Sequence, residues 1–203
     1  MTVQEVNLMR RSIQHFDKNR QLDMELVKRI IEESTYAPSG FNLQPWRVII
    51  VKSEKNRNDL FELSYKQEKI KEAPITLIIV ANKEGYTKEN PAWNEMIKNH
   101  GEERINSLIE GASKAYGKDE VSKTKFAHLN TSLFSMTLML LFKSYGIDSH
   151  AVGGMKQSEV KKMFNIADNE DINMLLPIGY RDNDKPLTKR LIRKTYEDIV
   201  TVF

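Results

Sequence analysis

The stretch APSGFNLQPWRVIIV, residues 37–51, changes character halfway along its length. It begins as a loop rich in Pro, Gly and Asn and ends in the apolar run of residues 48–51. A β-branched run that follows turn residues is typical of a strand. A loop that only reversed the chain could be shorter and plainer, so the pattern suggests that a ligand lies against it.

The composition sets the class of protein. The chain has 203 residues, 40% of them hydrophobic, and a formal net charge of +3, which is too small to argue for nucleic acid or a membrane surface. It has no cysteine, which excludes disulfides, thiolate metal sites and a cysteine nucleophile. The run LFSMTLMLLF at 133–142 is too short to span a bilayer. We expect one domain over residues 1–203 and a cytoplasmic location.

Strands alternate with helices along the chain, which predicts a layered sheet protein instead of a helical bundle. The predicted strands are 46–51, 75–81, 148–152 and 173–180, and the run ITLIIVA at 75–81 is typical of a strand covered on both faces. Helices are predicted over 2–9, 23–36, 56–64, 67–72, 91–116, 124–145 and 158–164.

Helix 124–145 has the strongest pattern. Its apolar residues Leu129, Leu133, Met136 and Leu140 recur at spacings of four and three, and the segment then becomes apolar almost all round, which predicts a central helix. The final stretch YEDIVTVF is β-prone but has no nearby hairpin partner, so it could pair with another subunit.

Most common catalytic motifs are absent. The chain contains no G-x-G-x-x-G, no P-loop and no G-x-S-x-G elbow. Its four histidines are too widely spread for a recognisable metal site, and no carboxylate pair stands out for acid and base work.

Three segments remain as ligand-binding candidates. MRRSIQHF places Arg10, Arg11 and Ser12 together at a helix end, either as an anion site or as a solvated terminus. PLTKRLIRK is rich in basic residues and would matter only if it folded back onto the same anion. AVGGM offers adjacent glycines whose N–H groups can approach a flat ligand, although a plain turn explains it too.

The order of these segments resembles that of the nitroreductase family of flavoproteins. RRSIQHF, APSGFNLQPWRVIIV, EKIKEAPITLIIVA, AVGGM, LLPIGY and a basic tail follow one another from residue 7 to about residue 200. The P-S-x-x-N-x-Q-P-W loop is the most specific part. The resemblance implies an α+β fold with a mixed central β-sheet flanked by helices, and a homodimer that exchanges its C-terminal arms and binds FMN at the subunit interface.

The resemblance also implies which residues bind FMN. Arg10, Arg11 and Ser12 would bind its phosphate and ribityl chain, and Gln14 stands where Arg or Lys is usual, so it brings no charge. The loop of the other subunit would contribute Pro38, Ser39, Gly40 and Asn42, and the segment near the pyrimidine edge would contribute Lys66, Gln67 and Lys69. Backbone amides of Gly153 and Gly154 would contact the flavin ring. A further phosphate contact would come from Arg193, with Lys189 and Arg190 as alternatives.

The function implied is that of an NAD(P)H-dependent oxidoreductase, which reduces nitroaromatics, quinones or related acceptors by a ping-pong route through flavin N5. No side chain need act as an obligatory acid or base. Alternatives are a flavin or pteridine reductase, a dehalogenase-like member, or a non-catalytic flavin-binding redox sensor. A nucleic-acid module, suggested by KRLIRK, lacks interleaved aromatic residues.

Overall fold

A computed structural model describes residues 1–203, and its centre is a four-stranded sheet. The strands are β1 (Trp46–Val51), β2 (Ile75–Asn82), β3 (Asp148–Ser149) and β4 (Glu170–Gly179), in the order β1-β2-β4-β3. All three ladders are antiparallel. The parallel component is one bridge between Ser12 and Ser149, so the sheet of a single chain is mixed only through that bridge.

Nine α-helices surround the sheet. They are α1 (Val3–Met9), α2 (Met24–Ser34), α3 (Glu54–Leu63), α4 (Glu68–Glu72), α5 (Pro91–His100), α6 (Glu102–Tyr116), α7 (Glu120–Ser144), α8 (Gln157–Met163) and α9 (Tyr196–Ile199). Asp23 begins α2 by accepting a hydrogen bond from the Glu25 N–H at 3.0 Å. Gly146, at φ 77°, ends α7 in the left-handed conformation that favours glycine.

Strand β2 is buried on both faces, as its continuous apolar run predicts. Because successive side chains of a strand point to opposite faces, Leu77 and Ile79 pack in the core that α2 and α7 cover. Ile78 and Val80 pack in the second core, with side chains of α3, α4 and α8. Helical layers on both faces of an antiparallel sheet confirm the predicted α+β class.

The helix predicted over residues 91–116 is wrong, because two helices occupy that range. Gly101, at φ 86° and ψ 150°, separates α5 from α6 and serves as the C-cap of one and the N-cap of the other. A residue with a Cβ rarely adopts this conformation, so the break depends on glycine. The pair forms a satellite core around Trp93, which is 0% exposed.

Helix α7 is central, as predicted, but most of the apolar residues whose spacing marked it lie on its outer face. Leu129 and Leu133 are 57% and 41% exposed, and Met136 is also exposed. The core contacts come instead from the opposite face, including Phe134 and Leu138. A helix that is apolar on most of its surface carries two candidate faces, and spacing alone does not say which one meets the sheet.

The C-terminal segment differs from its β-prone prediction. Residues 196–199 form the short helix α9, and residues 200–203 pair with no strand of the chain. Every residue from 189 to 203 is exposed. The third predicted strand is also shorter than expected, since only Asp148–Ser149 are in β3 and Val152 adds one isolated bridge to Leu175. None of the helices is long and apolar enough to cross a membrane.

Candidate cofactor site

Four arginines form a cationic cluster where α1 ends. Arg10 is the C-cap of α1, and burial lowers its pKa most, followed by the charges of Arg190, Arg193 and Arg11. No ion pair joins any of the four to a carboxylate. The Nε atom of Arg10 is buried and has no hydrogen-bond partner. Positive charges that lie close together without a counter-ion, and a buried N–H group without an acceptor, would both be satisfied by a bound anion. These features therefore indicate an anion site.

The C-terminal segment returns to the first helix to build this cluster. The Arg11 guanidinium donates to the carbonyl of Thr188, and the Arg190 guanidinium donates to the carbonyl of Leu8. Residues 188–190 therefore lie beside residues 8–11, although about 180 positions separate them in the chain. The basic segment PLTKRLIRK therefore folds back onto the motif MRRSIQHF, which is the condition under which it would share an anion with that motif.

Lys69 and His150 lie within reach of this cationic region. Burial lowers the pKa of Lys69. Burial is also the main reason why the pKa of His150 is lowered; its hydrogen bond to Ile13 opposes that shift, while Lys69 and Arg10 add to it. The Nδ1–H of neutral His150 donates to the Ile13 carbonyl at 2.8 Å. The charges of both Lys69 and Arg10 therefore act on His150. Sequence reasoning missed it, although its position one residue before AVGGM was a usable signal.

The two glycines of AVGGM present free backbone donors. The N–H groups of Gly153 and Gly154 make no hydrogen bond within the chain, and both residues are exposed. A Cβ at Gly153 would meet nothing within 4 Å, so the space above it is open. The Gln67 side-chain amide donates to the Gly154 carbonyl at 2.9 Å, and its oxygen accepts from Lys69 Nζ at 3.2 Å. This chain of contacts joins α4 to the glycine turn.

Other predicted residues lie outside these contacts. Lys66 points to Glu62 on the surface, 3.6 Å away. Gln14 lines a small cleft with residues 181–188, and Lys189 is exposed and makes no hydrogen bond or ion pair. The Ser12 hydroxyl is also without a partner, although its backbone bridges Ser149 next to the cluster. Their roles at a cofactor stay predictions.

The loop that contains residues 38–42 lies in a different part of the chain. Ser39 Oγ accepts from the Gln44 N–H at 3.0 Å, and the Gly40 N–H donates to Asn130 Oδ1 at 2.9 Å. The Phe41 ring packs against Trp93 at a centroid distance of 5.7 Å. Pro38 and Asn42 are exposed, and the Asn42 amide makes no hydrogen bond. No hydrogen bond or ring contact of this loop reaches the arginine cluster, so one chain carries two separate groups of candidate residues.

A large cleft lies elsewhere again. It measures about 880 Å³ and is lined by residues 43–47, 84–85, 89–92 and 169–170, with Asn82, Thr87 and Glu95. Its guanidinium, Arg47, is engaged by Glu170 at 2.5 and 2.6 Å, and this contact is the main reason why the pKa of Glu170 is lowered. Because that charge is already neutralised, we place the anion site at the arginine cluster and not in this cleft.

A comparison with protein families identifies the family of this chain. The model of the Nitroreductase family matches residues 8–180. The chain is a member of the nitroreductase family. Among curated relatives it is 27% identical to YodC of Bacillus subtilis, whose name assigns it provisionally to the NAD(P)H nitroreductases, over 89% of this chain and 93% of the relative. It is 26% identical to a protein of Thermus thermophilus named NADH dehydrogenase, over 85% and 83%.

Solved structures show the same fold for this nitroreductase-family chain. The Bacillus subtilis structure named ydfN superposes with a TM-score of 0.91 at 24% identity and covers 98% of both chains. A protein of Exiguobacterium sibiricum, solved in complex with FMN, has a TM-score of 0.84 at 23% identity and covers 99% of this chain and 97% of its own. The nitroreductase-like α+β fold is thereby confirmed.

Proposed function

We propose that this protein is an FMN-dependent oxidoreductase that uses NAD(P)H to reduce nitroaromatics, quinones or related acceptors by a ping-pong route. The observation that carries the proposal is the group of four arginines with no carboxylate among them and an unsatisfied Arg10 Nε. The family membership and the FMN complex of a structural relative support it.

The residues of the cluster fit the phosphate end of FMN. Arg10, Arg190 and Arg193 would neutralise a dianionic phosphate with charge-assisted hydrogen bonds, which relieves their mutual repulsion. Arg11 would act mainly by holding the Thr188 carbonyl and so keeping the C-terminal segment in place. The exposed Ser12 hydroxyl is available as one further donor.

The glycine turn and Lys69 fit the ring end of FMN. The free N–H groups of Gly153 and Gly154 would donate to the ring edge, and the open space above Gly153 leaves room for a flat group. Lys69 would hold positive charge at the pyrimidine edge, with Gln67 fixing its position. When bound, FMN supplies hydride transfer between a reduced nicotinamide and an acceptor.

A second copy of the chain would complete the site. The loop 38–42 has an unpaired Asn42 amide facing solvent and lies apart from the cluster, as expected if it serves the flavin of another subunit.

Exposed apolar surfaces could be covered by that second copy. Helix α7 carries an exposed apolar stripe that consists of Leu129, Leu133 and Met136, and the C-terminal arm exposes Ile192 and Phe203 almost fully. Strand β1 is an open sheet edge with Ile50 41% exposed. We therefore propose a homodimer with exchanged arms; a cytoplasmic location stays a prediction from the sequence.

The absorption spectrum of the purified protein tests this function. We expect flavin bands that bleach with NADH or NADPH under anaerobic conditions and return when a quinone or nitroaromatic acceptor is added. Failure to bind FMN after it is added in excess would contradict the proposal. Tight FMN binding without oxidation of NAD(P)H by any acceptor would indicate a redox sensor, and steady-state rates across acceptors would separate a flavin or pteridine reductase or a dehalogenase.

A further inference from the structure

The loop that follows Ser39 is held in a conformation that its side chains disfavour. Phe41, Asn42 and Gln44 have φ angles of 52°, 53° and 48°. Asparagine tolerates this left-handed region, but a bulky residue such as phenylalanine rarely adopts it. Such residues persist only where the surrounding structure holds them, and they concentrate at ligand sites. The loop therefore needs fixed anchors.

Asn130 of α7 is the anchor at the start of the loop. It is 5% exposed, and both ends of its side chain are used. Its Oδ1 accepts from the Gly40 N–H at 2.9 Å, and its Nδ2 donates to the Phe126 carbonyl at 2.6 Å. Because Gly40 requires an acceptor and Phe126 a donor, the orientation of the amide is determined.

The loop is closely packed at Gly40. A Cβ at that residue would lie 2.8 Å from Tyr116 Oη, so a side chain there would have to displace the tyrosine. The Tyr116 ring is itself stacked on Phe126 at a centroid distance of 4.4 Å. Helices α6 and α7 and the loop are thus fixed to one another around the hydrogen bond between Asn130 and Gly40.

We propose that Asn130 is a positioning residue that acts through the Gly40 backbone to present the loop 39–42 to the flavin. This inference rests on the proposed function, in which that loop contacts FMN held mainly by a second copy of the chain. Asn130 itself contributes no charge and no contact of its own to the cofactor. Its contribution is to keep the left-handed loop formed before FMN binds, so that binding need not order it.

Three variants test the proposal through FMN affinity. Asn130→Leu removes the acceptor and leaves the Gly40 N–H unsatisfied, and we expect the FMN dissociation constant to rise about tenfold. Asn130→Asp restores the hydrogen-bond pattern only when its carboxyl is protonated, because the acid then donates to Phe126 and accepts from Gly40. We therefore expect weak FMN binding at pH 8 and recovery towards the wild type at pH 5, each compared with the wild type at the same pH.

Ser135→Ala is the matched control. Ser135 lies on the same helix, is 0% exposed and donates to the Thr131 carbonyl at 2.7 Å, but it makes no hydrogen bond to the loop. We expect it to lower stability while leaving FMN affinity within about twofold of the wild type. A purely structural role for Asn130 would make Asn130→Leu behave like Ser135→Ala, with lower stability and unchanged FMN affinity of the folded protein.

The outcomes separate this inference from the proposed function. A wild-type protein that binds no FMN would overturn both. A wild type that binds FMN together with an Asn130→Leu variant that binds it equally well would overturn the inference alone. Amide hydrogen exchange gives a second readout without cofactor, because the Gly40 N–H should exchange faster in folded Asn130→Leu than in the wild type; unchanged exchange would contradict the anchor.

Discussion

The side-chain amide of Gln67 donates to the carbonyl of Gly154 at 2.9 Å, across 87 positions of the chain. The same nitrogen donates to the Ser64 carbonyl at 3.0 Å. Gln67 therefore connects the segment before β2 with the glycine turn after β3. Both segments are predicted to contact one flavin, and this residue sets the distance between them.

Gln67→Leu should loosen the glycine turn. Three hydrogen bonds are lost, two donated by the amide nitrogen and one that its oxygen accepts from Lys69, which we expect to lower the free energy of unfolding by about 1 kcal/mol and to weaken FMN binding about tenfold. A fluorescence titration with FMN measures the second effect. Gln21→Leu, at an exposed loop position whose amide makes no hydrogen bond, is the control and should change neither quantity. Equal FMN affinity in both variants would contradict the role of Gln67.

Lys69→Met should shift the flavin midpoint potential to more negative values. A cation at the pyrimidine edge favours the reduced, anionic flavin, and removing it withdraws that stabilisation. Lys71→Met is the matched control, since Lys71 is exposed on the same short helix and its charge faces solvent near the Phe61 ring. Potentiometric titration of both variants measures the flavin midpoint potential. Equal potentials would show that Lys69 does not lie near the flavin ring.

Arg10→Ala should weaken FMN binding without lowering the stability of the apoprotein. In the absence of the anion, Arg10 is repelled by Arg190 and Arg193, so we expect the apoprotein to keep its free energy of unfolding or to gain slightly. FMN binding should weaken by about 1.5–3 kcal/mol, the contribution of one charge-assisted hydrogen bond.

Arg193→Ala should weaken FMN binding in the same way, and Arg104→Ala controls for net charge. Arg104 is exposed on α6 and belongs to neither group of candidate residues. Isothermal titration with FMN and with riboflavin, which lacks the phosphate, should show the loss for FMN only. An Arg10→Ala variant that loses affinity for both ligands equally would argue against a phosphate contact.

His150 should make the apoprotein less stable in mild acid. Burial lowers its pKa below the ordinary value of 6.5, so the unfolded chain binds a proton that the folded chain does not. The contribution of His150 to stability is therefore complete above pH 6.5 and is lost as the pH falls towards the folded-state pKa. The charges of Lys69 and Arg10 lower the pKa of His150 in the same direction as burial.

Urea unfolding at pH 7.5 and 5.5 measures this linkage. We expect the wild type to lose more stability between the two values than His150→Gln does. His100→Gln, at an exposed position near the end of α5, should behave like the wild type. An equal loss in the wild type and in His150→Gln would show that other groups cause the acid sensitivity.

Leu133→Glu should prevent dimer formation and, with it, FMN retention. Leu133 lies in the exposed stripe of α7, where a buried carboxylate would lack a partner in the proposed interface. Val121→Glu is the control on the same helix, because Val121 is 77% exposed in its first turn, away from the stripe. Sedimentation velocity should give a monomer for the first variant and a dimer for the second. A wild-type monomer that retains FMN would refute the interfacial site.

Much of the fold was predictable because its signals are local. The run at residues 75–81 marks a strand buried on both faces, and Asp23 and Gly146 mark the ends of helices through their capping chemistry. The family followed from the order of short motifs. The break at Gly101 was also local, but the polar pattern on each side of it continues at helical spacing and concealed it.

The sequence by itself determined the order of the elements, the family and the short motifs in which cofactor residues are sought. Only the tertiary structure decided that Arg10 meets Arg190 and Arg193, that burial and the charges of Lys69 and Arg10 lower the pKa of His150, and that Asn130 anchors Gly40 across 90 positions. The outward face of α7 was likewise decided by packing against the sheet. The physical reason is range: backbone propensity and capping act over a few residues, whereas charge clusters and buried hydrogen bonds depend on where distant segments meet.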